Sequence, residues 1–254
     1  MKTNELQALT RFTPASIRRW LEFGWKAFTE ASFISIAYAS IFCIVGAAAA
    51  IWLVGSGRYL LFIALAGGFM LVAPVLVTGY YQVVQLLREG KKPVFDDIIA
   101  SFRANPKGIL AIGAFVSLIY LIWIADAVMI YGMAVEKIAK TSAESSEGTG
   151  LAAFLLLGGG IGALLAFIIY AATAFSLPDA FYRKSGFGQA MVLSVKGVLH
   201  NVDVMLLWAV VLTLLTFGVL LVALPLIIVL FPILGYASYA AYLDLIGELP
   251  SDSE

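Results

Sequence analysis

The chain alternates long apolar runs with shorter polar segments. A helix needs about 20 apolar residues to cross the hydrocarbon core of a bilayer, and four runs meet that length: 34–54, 60–84, 109–133 and 151–173. A fifth stretch, 204–246, would make a helix of roughly 65 Å, about twice the length that a membrane needs. We interpret it as two spans, 204–222 and 224–243, so the pattern predicts six spans. The turn between them, around Gly218 to Pro225, carries no polar residue, which keeps a five-span arrangement with a C-terminal surface helix open.

The amino-acid composition indicates the class of protein to which this pattern belongs. Hydrophobic residues make up 62% of the 254 residues, charged residues make up 13%, and the mean hydropathy is +0.98. A soluble domain is about half apolar and about a quarter charged, so a soluble fold of this size has too few charges to cover such an apolar interior. The sequence therefore predicts an all-α integral membrane protein. With 16 basic residues, 16 acidic residues and one cysteine, it offers neither a nucleic-acid surface nor a disulfide framework.

The basic residues fall mostly on one side of the predicted membrane. Thirteen of the 16 lie in the N-terminal arm or in the connections after the second and fourth spans, and only Arg58, Lys137 and Lys140 lie on the other side. Lysine and arginine are enriched in cytoplasmic loops. We therefore expect a bacterial inner-membrane protein with a cytoplasmic N-terminus and, with six spans, a cytoplasmic acidic tail at 247–254.

A similar unit recurs three times along the chain. Segments with the apolar periodicity of a helix lie in the arm 1–30, at 93–104 and at 187–199, and each precedes a hairpin of spans: 34–84, 109–173 and 204–246. Amphipathic helices of this kind lie in the membrane interface, with the apolar face toward acyl chains or toward the bundle.

Residue matches support the repeat. Gly79 and Tyr80 recur as Gly235 and Tyr236, and Asn105 recurs as Asn201, each pair at the same place in its unit. The sequence therefore predicts six transmembrane helices as three parallel-repeat hairpins, each preceded by a cytoplasmic interfacial amphipathic helix. Parallel repeats imply a pseudo-symmetry axis along the membrane normal.

Two segments carry a family resemblance: FSLPDAFYRKSGFGQAMVLSVKGVLHNVDVMLLW at 175–208 and PILGYASYAAYLDLI at 232–246. They resemble a family of bacterial integral membrane proteins that has only a domain-of-unknown-function label. The resemblance implies a fold and a location and brings no activity. Some members are loosely labelled as similar to the large subunit of haem-copper oxidases. Because such a subunit needs several intramembrane histidines and this chain has only His200, we expect it to ligate neither haem nor copper.

Few polar residues are candidates for chemistry. Asp126 is the acid nearest the membrane interior, where ionisable groups are commonly functional, but it lies about 25 Å along its helix and so close to the external interface. Asp179 is interpreted as a partner of nearby basic residues. His200 and Asn201, like Asn105, lie where an interfacial helix turns into a span, and we interpret His200 as an interfacial hydrogen-bonding residue.

The remaining candidates concern packing. Gly158 and Gly162 belong to a glycine-rich run that lets transmembrane helices approach closely, and one such face could dock a helix of another protein. Trp20 and Trp25, with six tyrosines, gather near the predicted cytoplasmic interface and are interpreted as an aromatic belt: Tyr80, Tyr81, Tyr182, Tyr236, Tyr239 and Tyr242.

These observations favour a non-enzymatic protein. We predict no catalytic residue, no cofactor and no metal, and bound lipid is compatible with the surface. We predict that the protein is an accessory, assembly or structural subunit of a larger membrane complex, with a respiratory complex as one candidate. Its partners are then other membrane subunits and lipids. A passive or lipid-related permease along the pseudo-symmetry axis is the first alternative. A membrane enzyme with a cytoplasmic interfacial site, built from Asp179, Arg183, His200 and Asp203, is the second.

Overall fold

The computed structural model describes residues 9–56, 76–103, 106–141, 163–164, 166–222 and 224–249, and within these ranges every regular element is a helix. We number the helices in chain order. They are α1 (Pro14–Glu30), α2 (Ser32–Gly55), α3 (76–88), α4 (Phe95–Ser101), α5 (Pro106–Thr141), α6 (166–173), α7 (Ser176–Tyr182), α8 (Phe187–His200), α9 (Val202–Val222) and α10 (Ile227–Leu245), with a 3₁₀ turn at Leu224–Leu226. The predicted all-α class is confirmed for the described residues.

Three of the described helices contain a stretch long and apolar enough to cross a membrane: Ser32–Ala49 in α2, Lys107–Ala125 in α5 and Ile227–Leu245 in α10. A fourth is added if α8 and the first part of α9, which are bent by 101° at their junction, form one broken span. Parts of the predicted spans 60–84 and 151–173 lie outside the described residues. The membrane character is thus supported, whereas six spans and three repeats remain predictions.

The long apolar stretch 204–246 forms two helices that fold back on each other. The ring of Trp208, near the start of α9, and the carboxylate of Asp244, near the end of α10, both contact Trp20. A single straight helix would hold residues 208 and 244 about 54 Å apart. The break follows Val222 and includes Pro225, which has no backbone N–H, so it lies at the C-terminal edge of the turn that the sequence predicts.

Helix ends from all three predicted hairpins meet at one end of the bundle. In α2, the Tyr38 hydroxyl donates to the Leu76 carbonyl at the start of the described part of α3, at 2.6 Å. In α6, the Tyr170 hydroxyl donates to the Met205 carbonyl of α9 at 2.9 Å. Ile109, near the start of α5, belongs to a small buried cluster with residues of α7 and α8. We call this end, formed by α1, α4, α7, α8 and the adjoining ends of the long helices, the base.

Away from the base, the long helices expose large apolar side chains. We call these parts of α2, α5 and α9 the shafts, and their exposed residues include Ile44, Val45, Ile51, Trp52, Leu118, Leu121, Ile122, Trp123, Met129, Val210 and Leu214. Surfaces of this kind suit contact with lipid or with the helices of another membrane protein.

Helices are present at the three segments predicted to be amphipathic, as α1, α4 and α8, and each buries residues against the bundle. α1 begins at Pro14, a residue favoured in the first turn, and its apolar side lies along α10. A Cβ atom on Gly24 would lie 2.6 Å from the Ile233 carbonyl oxygen, so the two helices are in direct backbone contact. α8 runs from Phe187 to His200 and buries one face. The apolar faces of α1 and α8 were expected to contact either acyl chains or the bundle, and the buried faces of both helices contact the bundle.

Candidate functional site

The centre of the base is the C-terminal half of α10. Every residue from Tyr239 to Leu245 is buried, on all sides of the helix, which a helix at the edge of a bundle cannot achieve. α10 contacts α1, α2, α7 and α9, and its tyrosines also reach α3. The last described helix is thus the element around which the others are arranged.

Asp244 joins α10 to α1. Its carboxylate accepts a hydrogen bond from the Trp20 indole N–H at 2.8 Å and one from the Arg19 guanidinium at 3.1 Å. Asp244 is only 6% exposed, whereas the Arg19 side chain is 44% exposed. A buried carboxylate of this kind is tolerated because both of its partners are donors.

Two further acids tie α10 to α7 and α3. Asp179 in α7, 2% exposed, accepts a hydrogen bond from the Tyr242 hydroxyl at 2.9 Å and has the Arg183 guanidinium at 3.9 Å. Glu248, just after α10, accepts a hydrogen bond from Tyr182 and lies 3.6 Å from the guanidinium of Arg88 at the end of α3. The basic partner expected for Asp179 is therefore Arg183.

The tyrosines form the interior of the base. The rings of Tyr80 and Tyr236 meet edge to face at a centroid distance of 5.6 Å, and those of Tyr81 and Tyr239 stack at 4.7 Å. The hydroxyl oxygens of Tyr236 and Ser35 lie 2.6 Å apart, and Gln85 donates to the Tyr239 hydroxyl. Edge-to-face and offset-stacked pairs are the favoured geometries for aromatic rings.

This burial corrects the interpretation of these aromatic residues as a belt. A belt residue presents its ring to the membrane interface, but Trp20 and five of the six tyrosines are buried. Only Trp25, 57% exposed, has the accessibility that a belt requires, and Tyr182 is partly buried. The remaining aromatic residues bind helices to one another.

Asn201 fixes the corner between α8 and α9. Its side-chain oxygen accepts a hydrogen bond from the Phe12 backbone N–H at 2.7 Å, and its amide donates to the carbonyls of Thr10 and Gly197 at 3.1 and 3.2 Å. The side chain is fully buried with partners for both ends, which is how a buried amide is stabilised. Asn201 therefore holds the N-terminal arm against the bend.

His200 is an exposed neighbour of this corner. The hydrogen bond described for it involves its main chain, since its carbonyl accepts from the Arg11 guanidinium at 2.6 Å. The hydrogen bonds and ion pairs of the described residues do not join His200 or Asp203 to Asp179.

Four predicted site residues cannot be placed. Asn105, Gly158 and Gly162 lie outside the described residues, and Asp126 belongs to α5 but its side chain lies outside the described part. Among the described residues, no group of three or more His, Cys, Asp or Glu side chains is arranged to hold a metal ion.

Several residues of the network are not evident from the sequence. Tyr38, Gln85 and Ser35 sit in apolar runs and carry no motif. The spacing of Tyr236, Tyr239 and Tyr242 is the one available signal, because residues three apart share a side of a helix.

Among the described residues, one hydroxyl of the tyrosine cluster has no hydrogen-bond partner. Tyr80 is 1% exposed, and its hydroxyl has no hydrogen-bond partner in the described part of the chain. Its ring lies against Gly235, Tyr38, Phe231 and Tyr236. A buried hydroxyl without a partner costs about 1–3 kcal/mol.

Two titratable groups at the edge of the base have shifted pKa values. The hydrogen bond that Tyr182 donates to Glu248, together with partial burial, raises the pKa of Tyr182 above its ordinary value. Burial lowers the pKa of Lys184, whose amine lies 2.7 Å from the Phe181 carbonyl and 4.9 Å from the centroid of the Phe181 ring.

Helices of membrane-spanning length around a buried polar base define an integral membrane protein. Residues 61–179, just under half of the chain, match the model of a family described as "Predicted integral membrane protein (DUF2189)", a domain of unknown function. The family resemblance expected from the sequence is confirmed, although the matched region includes only the first five residues of the segment 175–208 and none of the segment 232–246. The comparisons with curated proteins and with solved structures give no match.

Proposed function

We propose that this chain is a non-enzymatic accessory, assembly or structural subunit of a larger complex in the bacterial inner membrane, with a respiratory complex as one candidate. The membrane character and the family match support the location in a membrane. The shafts offer apolar surface to the helices of other subunits, and the base supplies a rigid support for that surface.

The observation that carries this proposal is that three acids of the base are occupied by contacts with neighbouring helices. Asp179, Asp244 and Glu248 each accept hydrogen bonds or ion pairs from a different element of the base. A carboxylate that acts in catalysis must meet a substrate, whereas these three are occupied by neighbouring helices. These three acids therefore hold the helices of the base together.

The packing of α10 weighs against the permease alternative. A path along a pseudo-symmetry axis would have to pass the base, where the side chains of Tyr236, Tyr239, Ala240 and Leu243 are fully buried. Such an interior is close-packed, so transport would require α10 to move. The enzyme alternative lacks a described contact that unites its residues.

The orientation and the repeat form part of the proposal. The gathering of helix ends at the base supports three hairpins that start and finish on one side, and the enrichment of basic residues there supports a cytoplasmic base with both termini inside. An accessibility tag at the C-terminus tests this directly, because labelling from the periplasm would contradict both the six-span arrangement and the repeat.

Native electrophoresis tests the subunit role. A tagged copy expressed from its own locus is extracted in a mild detergent, and the band is analysed by mass spectrometry. We expect co-migration with a larger complex at a fixed stoichiometry. A small particle containing only this chain, as monomer or homo-oligomer, would contradict the proposal and direct attention to lipid-binding and flux assays.

A matched pair of glycine variants controls this experiment. Gly24→Ala disturbs the contact of α1 with α10, whereas Gly46→Ala meets nothing within 4 Å in the shaft of α2. Complex formation that depends on the native base should be lost in the first variant and retained in the second. Equal co-migration of both would indicate trapping of apolar surface rather than specific assembly.

A further inference from the structure

In the base, the basic side chains are exposed, whereas some of the acidic side chains are buried. In the described part of the chain its twelve lysines and arginines are all exposed: Arg11, Arg18, Arg19, Lys26, Arg88, Lys91, Lys92, Arg103, Lys107, Arg183, Lys184 and Lys196. The acids are divided, since Asp179 and Asp244 are buried inside the network. The surface of the base is therefore more positive than its composition suggests.

Exposed ion pairs neutralise only part of this surface. Glu22 lies 2.6 Å from Arg18, and Glu89 lies 2.6 Å from Lys91. Seven exposed cations have no ion pair with another described residue, and two of them, Arg11 and Lys184, donate to main-chain carbonyls. The other five are Lys26, Lys92, Arg103, Lys107 and Lys196. These five are available to an external anion.

Lys107 stands at the start of an exposed apolar stripe on α5. On α5, Leu110, Leu118 and Leu121 follow it at helical spacing and are 48%, 57% and 55% exposed. In a membrane this leucine stripe contacts acyl chains. The Lys107 amine, one turn before the stripe, then lies at the level of the lipid headgroups, since lysine extends its charged end out of the hydrocarbon.

Lys196 occupies a similar position on α8. Val192 and Leu199, four residues before it and three residues after it, share its side of the helix and are exposed. A helix that shows apolar side chains beside a lysine is typical of the membrane interface. The 101° bend into α9 fits this placement, because it separates a helix along the interface from one that enters the membrane.

The two lysines lie on helices that pack together. Ala190 of α8 belongs to the same buried cluster as Ile109 of α5, and the rings of Phe187 and Phe115 lie 6.0 Å apart. Lys107 and Lys196 thus lie on the exposed sides of two helices that pack together, and the exposed apolar stripe of α5 follows Lys107. A phosphate group beside the lysines and acyl chains along the stripe would match both features.

We propose that the junction of α5 and α8 binds an anionic phospholipid, with Lys107 and Lys196 contacting its phosphate and the leucine stripe of α5 contacting its acyl chains. A lipid fits better than a soluble anion because the cations directly adjoin lipid-exposed side chains. This site does not require the proposed subunit role, and it assigns the stripe of Leu110, Leu118 and Leu121 to lipid while the other shaft surfaces stay open to subunits.

Native mass spectrometry of the full chain tests this site. The protein, purified in a mild detergent, is titrated with phosphatidylglycerol and separately with phosphatidylcholine carrying the same acyl chains. We expect the wild type to prefer phosphatidylglycerol. In the double variant Lys107→Gln/Lys196→Gln, the ratio of phosphatidylglycerol binding to phosphatidylcholine binding should fall about fivefold for each lysine removed. This is the change expected for one lysine at an anionic surface.

Arg18→Gln is the matched control, because it also removes a positive charge from the base but changes a residue already paired with Glu22. It should retain the wild-type preference. Equal binding of the two lipids by the wild type would overturn the proposal. The proposal would also be overturned if Arg18→Gln lowered the preference for phosphatidylglycerol by as much per charge as the double variant does. That result would indicate a diffuse attraction of the lipid to the whole base.

Discussion

The base and the shafts contrast in how they use the same kinds of residues. Leu243 in the base is fully buried, whereas Leu121 in a shaft is 55% exposed. Gly24 in the base touches the backbone of α10, whereas Gly46 in a shaft has open space around it. Because lipid is as apolar as leucine, burial gains little in the shafts. The specificity of the fold therefore resides in the base, where helices meet through shape and hydrogen bonds.

The largest expected effect comes from a matched pair of leucines. Leu243→Ala removes a fully buried side chain at the centre of the base and should cost about 2–5 kcal/mol of the free energy of unfolding. Leu121→Ala should cost less than about 1 kcal/mol, because its side chain contacts lipid or detergent in the folded protein. Thermal unfolding in a mild detergent, followed by size-exclusion chromatography, measures the difference. Equal losses would show that the shaft of α5 is as tightly packed as the base.

A pair of glycines gives the next largest contrast. Gly24→Ala places a Cβ atom 2.6 Å from the Ile233 carbonyl oxygen and 3.1 Å from the Ala237 Cβ, so α1 has to move away from α10 at a cost of about 1–3 kcal/mol. Gly46→Ala meets no neighbour and should be neutral, or stabilising by up to about 1 kcal/mol through helix propensity. The unfolding midpoints of the two variants should therefore shift in opposite directions, or only that of Gly24→Ala should fall. A stable Gly24→Ala variant would mean that α1 is held less closely than the contact indicates.

The sequence was informative about the helices and less so about their contacts. Hydropathy is a property of each residue, so the apolar runs corresponding to α2 and α5 and the break before α10 could be predicted from it. Burial of Tyr239 or Trp20 depends on which helix lies opposite, and a tyrosine at a helix end looks the same in a belt as in a core. Asp244 illustrates the difference, because its two donors come from α1, more than two hundred residues earlier.

Two tyrosines of the base should respond oppositely to loss of the hydroxyl. Tyr80→Phe removes a buried hydroxyl that has no described partner, so it should stabilise the protein by about 1 kcal/mol. Tyr236→Phe removes the hydroxyl that lies 2.6 Å from that of Ser35 and should destabilise it by a similar amount. The midpoints of thermal unfolding, compared in the same detergent, give both signs. Destabilisation by Tyr80→Phe would show that this hydroxyl has a partner in the membrane-embedded protein.

The smallest effect concerns the pH dependence at the edge of the base. The hydrogen bond from Tyr182 to Glu248 needs the protonated phenol, and it raises the pKa of Tyr182 above the ordinary value of 10.0. A group whose pKa is higher in the folded protein stabilises it fully below the unfolded pKa, and this contribution is lost as the pH rises through the folded pKa. Tyr182→Phe should therefore be less stable than the wild type by about 1 kcal/mol at pH 8, and the difference should shrink above about pH 10.

Comparing the two proteins at each pH isolates the tyrosine. Lys184, whose pKa is lowered by burial, contributes with the opposite sign, but it is present in both proteins and cancels in the difference. Arg88, which opposes the rise in the pKa of Tyr182, is likewise unchanged. A difference that stays constant from pH 8 to alkaline conditions would mean that Tyr182 stabilises the base through its ring, packed 6.2 Å from that of Tyr242, and not through its hydroxyl. The hydroxyl of Tyr182 would then add nothing to the polar contacts of the base, which include those of the buried groups Asp179, Asp244 and Asn201.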